Sequence, residues 1–263
     1  MTATSEGWTY GAVGVVGTGS IARDVVTGLS DAPDPPNMWL SPRNAEVAAQ
    51  LASRFGNVRV CPSNDDVVSR SDVVLLAIRP QVWSDAVEGL PWTADQTVIS
   101  FIAGVSTEAL RAKLAPVRTI ARAIPLPSAS RRDSVTVTCG ADPVTRALFA
   151  RLGETFDEDE STFAAFSAST ATIAAHLTYL ATISSWLSRH DVPSAVANRY
   201  IGLLFAGLGG PLRDEQLDLD ALTRDHMTAG GLNERLLTAL TEAGTWNALD
   251  AALDRTLSDI TAG

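Results

Sequence analysis

Three small residues at fixed intervals, Gly17, Gly19 and Ala22, follow directly on the apolar run Val13–Val16 and constrain the fold more than any other feature. In the stretch Gly14-Val-Val-Gly17-Thr-Gly19-Ser-Ile-Ala22, the first small residue lets the chain turn. The second lets a diphosphate approach the backbone, and the third lets a helix pack close to the preceding strand. Free N–H groups and the helix dipole then favour an anion at that helix start. The spacing alone is weak, since a purely structural glycine turn satisfies it. Its place after a strand, before a helix and near the start of an alternating series is what gives it meaning. The cofactor-binding set expected here is Gly17, Thr18, Gly19, Ser20 and Ile21.

The alternating series is legible. Short β-rich runs fall at Gly11–Val16, Met38–Leu40, Val58–Val60, Val73–Ile78, Val98–Ala103 and Arg118–Ile124. Helical patterns lie between them at Ser20–Ser30, Asn44–Phe55, Gln81–Gly89 and Thr107–Leu114. A continuous apolar run such as Val73-Val74-Leu75-Leu76-Ala77-Ile78 fits a strand covered on both faces. Right-handed crossovers then give a doubly wound parallel sheet. Ser134–Cys139 alternates more and reads as an added edge strand, with a closing helix at Pro143–Leu152.

Beyond the acidic run Asp157-Glu158-Asp159-Glu160, read as a solvated turn because like charges repel, strand signals nearly vanish. Helical patterns follow at Thr162–His190, Ser194–Ala206, Asp218–Met227, Asn233–Ala243 and Thr245–Thr261. The expected organisation is a Rossmann-type α/β domain over 1–160, then an all-α dimerisation and substrate domain over 161–263. So short a helical domain with so much apolar surface implies interleaving with a second copy, hence a homodimer or a higher homo-oligomer.

Composition narrows the partners. A formal charge of −10 argues against a nucleic-acid or anionic-membrane surface. The apolar runs are too short to span a bilayer, and Met1 to Gly11 lacks a secretory pattern. Cys61 and Cys139 form neither a disulfide framework nor a metal spacing, so no metal and a cytoplasmic setting are expected. At the end of the second strand, where an NAD enzyme carries an acid for the ribose hydroxyls, the chain reads Trp39-Leu40-Ser41-Pro42-Arg43-Asn44. Arg43 near a helix start opposes the dipole, and a 2′-phosphate would reverse that cost, with Ser41 and Asn44 adding hydrogen bonds. NADP(H) is therefore the expected cofactor.

These residues resemble the pyrroline-5-carboxylate reductase family along nearly the whole chain. Val13–Ala22 resembles its glycine loop, and Ala77-Ile78-Arg79-Pro80-Gln81 its Ala-Val-Lys-Pro-Gln segment. Ser100-Phe101-Ile102-Ala103-Gly104-Val105 resembles its Ser-Ile-Ala-Ala-Gly-Val. The resemblance implies that Ala77, Arg79, Pro80, Ala103 and Gly104 join the cofactor site, and that NADPH delivers hydride to pyrroline-5-carboxylate or a related cyclic imine. Departures cluster in the second half. The family's Met-Pro-Asn-Thr-Pro becomes Ile124-Pro125-Leu126-Pro127-Ser128, and its Ser-Gly-Ser-Gly-Pro-Ala-Tyr becomes Ser167 to Ile173. Its Ser-Pro-Gly-Gly-Thr-Thr becomes Thr228-Ala229-Gly230-Gly231-Leu232-Asn233, with Asn233 in place of a substrate-bonding threonine.

Without the family, Thr228–Asn233 still reads as two glycines at a helix start, able to offer backbone N–H groups to a small carboxylate, or as an ordinary interhelical turn. Gly230, Gly231, Asn233, Ser169 and Thr172 are the expected substrate contacts, although the Ser and Thr cluster reads equally well as caps. The catalytic candidates are Asn233, Thr228 and His176, the last lying one helical turn past Ile173. Reduction of a cationic C=N carbon needs no strong acid, whereas ketone reduction needs a proton donor. The one lysine, Lys113, lies in the first half, and no tyrosine has a Tyr-x-x-x-Lys partner, which disfavours an alcohol or ketone dehydrogenase. A nucleotide-binding scaffold or sensor without catalysis is the other reading.

Overall fold

The computed structural model describes residues 7–262; most of the segment Met1 to Gly11 discussed above lies outside them. The chain divides into two compact units, one of residues 1–167 with 260–263 and one of residues 168–259. The boundary expected near residue 160 falls at the start of a helix, Glu160–Ser169, whose residues up to Ser167 the division keeps with the first unit.

The first unit is built on an eight-stranded sheet in the order β3-β2-β1-β4-β5-β6-β7-β8. Its strands are β1 (Val13–Val16), β2 (Met38–Leu40), β3 (Val58–Val60), β4 (Val73–Leu76), β5 (Thr97–Ser100), β6 (Thr119–Ile124), β7 (Ser134–Cys139) and β8 (Gly153–Asp157). All neighbours pair in parallel except β6 and β7. The first six strands follow the doubly wound 3-2-1-4-5-6 order, whose direction reverses between β1 and β4. The helices are α1 (Ser20–Ser30), α2 (Ala45–Arg54), α3 (Asn64–Ser69), α4 (Trp83–Val87), α5 (Thr107–Lys113), α6 (Pro143–Ala150) and α7 (Glu160–Ser169), which runs to the unit boundary.

Side-chain alternation in the strands feeds two cores. Val73 and Leu75 of β4 join the cluster beneath α1 and α2 with Val25, Leu29 and Leu51. Val74 and Leu76 join the opposite cluster with Val67, Val98 and Leu110. Both faces are covered, as the unbroken apolar run required, and full burial of each such side chain contributes about 1.5–3 kcal/mol. Two elements escaped the sequence reading. The edge is β8, parallel to β7, so Ser134–Cys139 is an inner strand; and α3 fills the β3–β4 crossover. The strand β8 lies outside the apolar pattern because Glu154, Phe156 and Asp157 are exposed.

The second unit is helical: α8 (Thr172–Ser188), α9 (Ser194–Ala206), α10 (Leu219–Asp225), α11 (Leu232–Glu242) and the greater part of α12 (Thr245–Ala262). The single pattern expected over Thr162–His190 is two helices, α7 and α8, broken at Thr170 and Ala171. Only Ala168, Ser184, Ala197 and Ile201 are buried among its described residues, while Leu177, Leu203 and Leu236 are each more than half exposed. No helix among the described residues is long and apolar enough to cross a membrane.

Candidate functional site

The glycine loop sits at the carboxyl ends of β1 and β4, where the strand order reverses. Gly17 has φ +95°, and a Cβ there would lie 2.4 Å from the Ala77 carbonyl oxygen, so only glycine fits. Gly19 is different: a Cβ on it would meet nothing within 4 Å. The space in front of Gly19 is open, as an approaching diphosphate requires. Helix α1 begins there without a side-chain cap and without an acidic residue in its first turn. Its leading N–H groups are thus left to an external acceptor. Ala22 is buried, which permits the close helix–strand contact its position implied.

The loop is held from behind. Ser41 is fully buried; its hydroxyl accepts the Gly17 N–H at 2.9 Å, and its own N–H donates to the Val15 carbonyl at 2.9 Å. Ser41 therefore props the loop rather than facing outward as a phosphate ligand, which is a change from the sequence reading. Thr18, 2% exposed, donates from its hydroxyl to the Ser41 carbonyl and accepts the Asn44 N–H. The Asn44 side chain caps α2 by accepting from the Val47 N–H. Arg43 is exposed just before α2, with no ion pair or hydrogen bond among the described residues. Ser20 is exposed and Ile21 half-buried on the first turn of α1.

The neighbouring strand ends carry the other cofactor candidates. The Ala77 N–H donates to the Val16 carbonyl, and the Phe101 N–H to Leu76, so the ends of β1, β4 and β5 lie side by side. Arg79 and Pro80 are exposed after β4, Ala103 is exposed after β5, and Gly104 takes φ +74°.

One cluster went unread in the sequence. Glu160, at the start of α7, accepts from the Thr107 N–H (3.1 Å), the Thr107 hydroxyl (2.6 Å), Arg122 Nη1 (2.7 Å) and Cys139 Sγ (3.4 Å). The last acid of the run is therefore a fixed anchor and not part of a solvated turn. Burial alone would raise its carboxyl, but the donors from Thr107, then Arg122 and Cys139, outweigh burial and hold it below the usual carboxylate range. Burial, with Glu160 nearby, pushes the Cys139 thiol up to about 11, so it stays a donor. The signal available was Arg122 inside the apolar strand β6, because a buried guanidinium needs a counter-ion.

In the second unit, a cavity of about 530 Å³ is walled mainly by leucines, with Tyr179, Phe205, Met227 and Trp246. Its polar lining includes Thr223, His226 and Asn233. His176 is not on that wall. It is exposed on α8, stacked on Tyr179 (6.4 Å) and edge-on to Phe205 (6.2 Å), so His226 is the histidine that meets the cavity. Thr172 donates to the Ser169 carbonyl at 2.7 Å, a local contact at the α7–α8 junction.

Part of the turn Thr228–Asn233 is bonded within the chain. The Gly230 N–H donates to Glu234 Oε2 at 2.5 Å, and the Gly231 N–H to the Thr228 carbonyl at 2.7 Å. Asn233 Nδ2 donates to the His226 carbonyl at 2.7 Å. Helix α11 itself starts without a side-chain cap, so the backbone N–H groups of Leu232, Asn233 and Glu234 are not engaged among the described residues. Among the described residues no group of three His, Cys, Asp or Glu side chains could hold a metal ion.

Fold and loop define a Rossmann-type dinucleotide-binding chain with a helical second unit. Residues 12–104 match the family model described as NADP oxidoreductase coenzyme F420-dependent. The chain is similar to pyrroline-5-carboxylate reductase 3 of Xenopus laevis, 25% identical over 93% of this chain and 94% of that protein. It is 28% identical to pyrroline-5-carboxylate reductase 2 of Bacillus subtilis, in a match covering 47% of this chain and about half, 46%, of that relative's length. Among solved structures, the pyrroline-5-carboxylate reductase of Streptococcus pyogenes superposes with TM-score 0.84 at 22% identity, covering 96% of this chain and 98% of that one. The Plasmodium falciparum pyrroline carboxylate reductase, solved with NADP bound, gives 0.82 at 12% identity, covering 95% and 97%. An imine reductase from Aspergillus terreus, solved with NADPH4 and dibenz[c,e]azepine, gives 0.55 at 14%, covering 96% and 95%. Sequence and fold alike make the chain similar to the pyrroline-5-carboxylate reductases. The class these likenesses support is that of NAD(P)-dependent oxidoreductases of the pyrroline-5-carboxylate reductase and imine reductase type.

Proposed function

We propose that this chain is an NADPH-dependent reductase that transfers hydride to the C=N bond of a small cyclic imine of the pyrroline type, working as a homodimer. The observation that carries this reading is the open, uncapped start of α1 beneath Gly19, at the point where the sheet order reverses. A diphosphate fits there without displacing any side chain. Backbone N–H groups near Gly17 and Gly19 hold it, and the Arg43 guanidinium, which has no partner among the described residues, takes the 2′-phosphate. Ala77, Arg79, Pro80, Ala103 and Gly104 flank the rest of the cofactor from the ends of β4 and β5.

When bound, the dihydronicotinamide supplies the hydride. The chain's own residues orient the ring, keep water away and set the charge around the C=N carbon. A protonated imine is already electrophilic, so the absence of a lysine beyond Lys113 is no obstacle. The exposed leucines of α8, α9 and α11 support a second copy packed on the helical unit.

The test is NADPH oxidation with a panel of cyclic imines, alongside calorimetric titration with NADPH and NADH. Turnover of at least one cyclic imine, with NADPH preferred, is the expected result. Nucleotide binding without turnover of any imine would favour the scaffold or sensor reading, and absence of nucleotide binding would remove both.

A further inference from the structure

The short segment that carries Arg43 is fastened at both ends to the glycine loop. At its front, the Ser41 hydroxyl accepts the Gly17 N–H at 2.9 Å, and the Ser41 N–H donates to the Val15 carbonyl at 2.9 Å. At its back, the Asn44 N–H donates to the Thr18 hydroxyl at 3.4 Å, which donates in turn to the Ser41 carbonyl at 3.4 Å. Between the two fastenings lie only Pro42 and Arg43. Proline fixes its own φ and keeps the residue before it extended, so Ser41 to Asn44 form a stiff strut. Arg43 is exposed on that strut, with no partner among the described residues.

The fastenings themselves are out of a ligand's reach: Ser41 is 0% exposed and Thr18 2%. What they set is the distance between the glycine loop and Arg43. An arginine on a loose loop spends much of its attraction for a phosphate on being ordered, whereas one on a stiff strut is already in place. We infer that Ser41 and Thr18 are positioning residues for cofactor choice. They hold Arg43 in register with the diphosphate, so the preference for NADPH over NADH depends on them as well as on the arginine. This rests on the nucleotide-binding reading above and on contacts within the first unit alone.

The experiment is a double-mutant cycle on binding, with NADPH and NADH titrated calorimetrically into the full-length chain. Ser41→Ala removes the acceptor of the Gly17 N–H, and Thr18→Val keeps the side-chain shape but removes the hydroxyl. Each should lower the ratio of NADPH to NADH affinity by about fivefold to tenfold. Thr18→Ser restores a hydroxyl and should bring the ratio back to within about twofold of the wild type. In an Arg43→Ala background neither Ser41→Ala nor Thr18→Val should move the ratio further, because the group they position is gone. Should Ser41→Ala melt early, Thr18→Val carries the test. Mere support of the loop would weaken both nucleotides equally, and a ratio left unmoved by Thr18→Val overturns the inference. So does a loss that adds in full to that of Arg43→Ala, as a direct phosphate contact would. A wild type that binds both nucleotides equally removes this inference and leaves a reductase able to use either cofactor; one that binds neither removes both readings.

Discussion

Arg122 Nη1 lies 2.7 Å from Glu160 Oε1, and its guanidinium sits 4.3 Å above the centre of the Phe163 ring. The pair joins β6 to the first turn of α7, and Thr107 ties the same carboxylate to the start of α5. The guanidinium is almost wholly buried, whereas the carboxylate is 44% exposed. Removing the acid therefore leaves an uncompensated buried charge, which is the costly half of breaking such a pair.

Glu160→Gln is expected to destabilise the chain by about 2 kcal/mol at neutral pH, discounted from the range for fully buried pairs because solvent screens the carboxylate. The pH dependence has a definite sign. Because the folded carboxyl titrates below its unfolded value of 4.5, its contribution is complete above that value and is lost as pH falls through the folded one. Thermal melts of wild type and Glu160→Gln should thus differ most at neutral pH and converge in acid. A gap that widens on acidification would refute this assignment.

Gly17 and Gly19 should respond differently to alanine. Gly17→Ala meets the Ala77 carbonyl at 2.4 Å in a left-handed backbone, so it should lower stability by about 1–3 kcal/mol and abolish nucleotide binding. Gly19→Ala meets nothing, so its melting temperature should move little. Its methyl would still occupy the diphosphate's path, and calorimetry should show at least about tenfold weaker NADPH binding. Unchanged affinity in Gly19→Ala would place the diphosphate elsewhere.

Arg43 has no partner among the described residues, and the start of α2 beside it already has Glu46 in its first turn. Its charge is therefore free for a phosphate. Arg43→Ala should weaken NADPH binding by about tenfold to a hundredfold, the value of a charge-assisted contact, and leave NADH binding unchanged. Parallel titrations with the two nucleotides measure this directly, and equal losses for both would exclude a 2′-phosphate role.

The parts of this fold legible in the sequence are those with a strong local signal. The run Val73–Leu76 announced a strand buried on both faces, and Ser20–Ser30 carried its helix with the same bounds. The strand β8 was missed because Gly153–Asp157 exposes most of its side chains, and α3 because six residues are too few for a helical period. At the candidate site, the steric requirements at Gly17 and the open space at Gly19 were legible, since they are local. Ser41 was misassigned because its burial depends on the strand beside it, which spacing cannot show. Glu160 was read as solvated because its donors come from Thr107, Arg122 and Cys139, each distant in sequence. The Thr228–Asn233 turn was legible, but the acceptor of its Gly230 N–H, Glu234, lies one position past it.

The helical unit yields the last prediction. Helix α9 has two apolar faces. Ala197 and Ile201 are buried on one, while Val196, Tyr200 and Leu203, spaced four and three residues apart, are 56%, 57% and 63% exposed on the other. Helix α8 likewise exposes Ile173 and Leu177 one turn apart. A unit of this length with four buried residues gains too little from its own packing to offset the order it imposes. Covering these side chains with a second copy would contribute about 1.5–3 kcal/mol for each one fully buried. Light scattering should therefore find a dimer, and Leu203→Asp, which places a charge in the middle of the exposed α9 face, should shift it toward monomer. The variant's melting temperature should also fall and become less dependent on protein concentration than the wild type's, since unfolding of a monomer carries no mass-action term. A wild-type monomer of unaltered stability on dilution would show that this apolar face is covered by something other than a second copy.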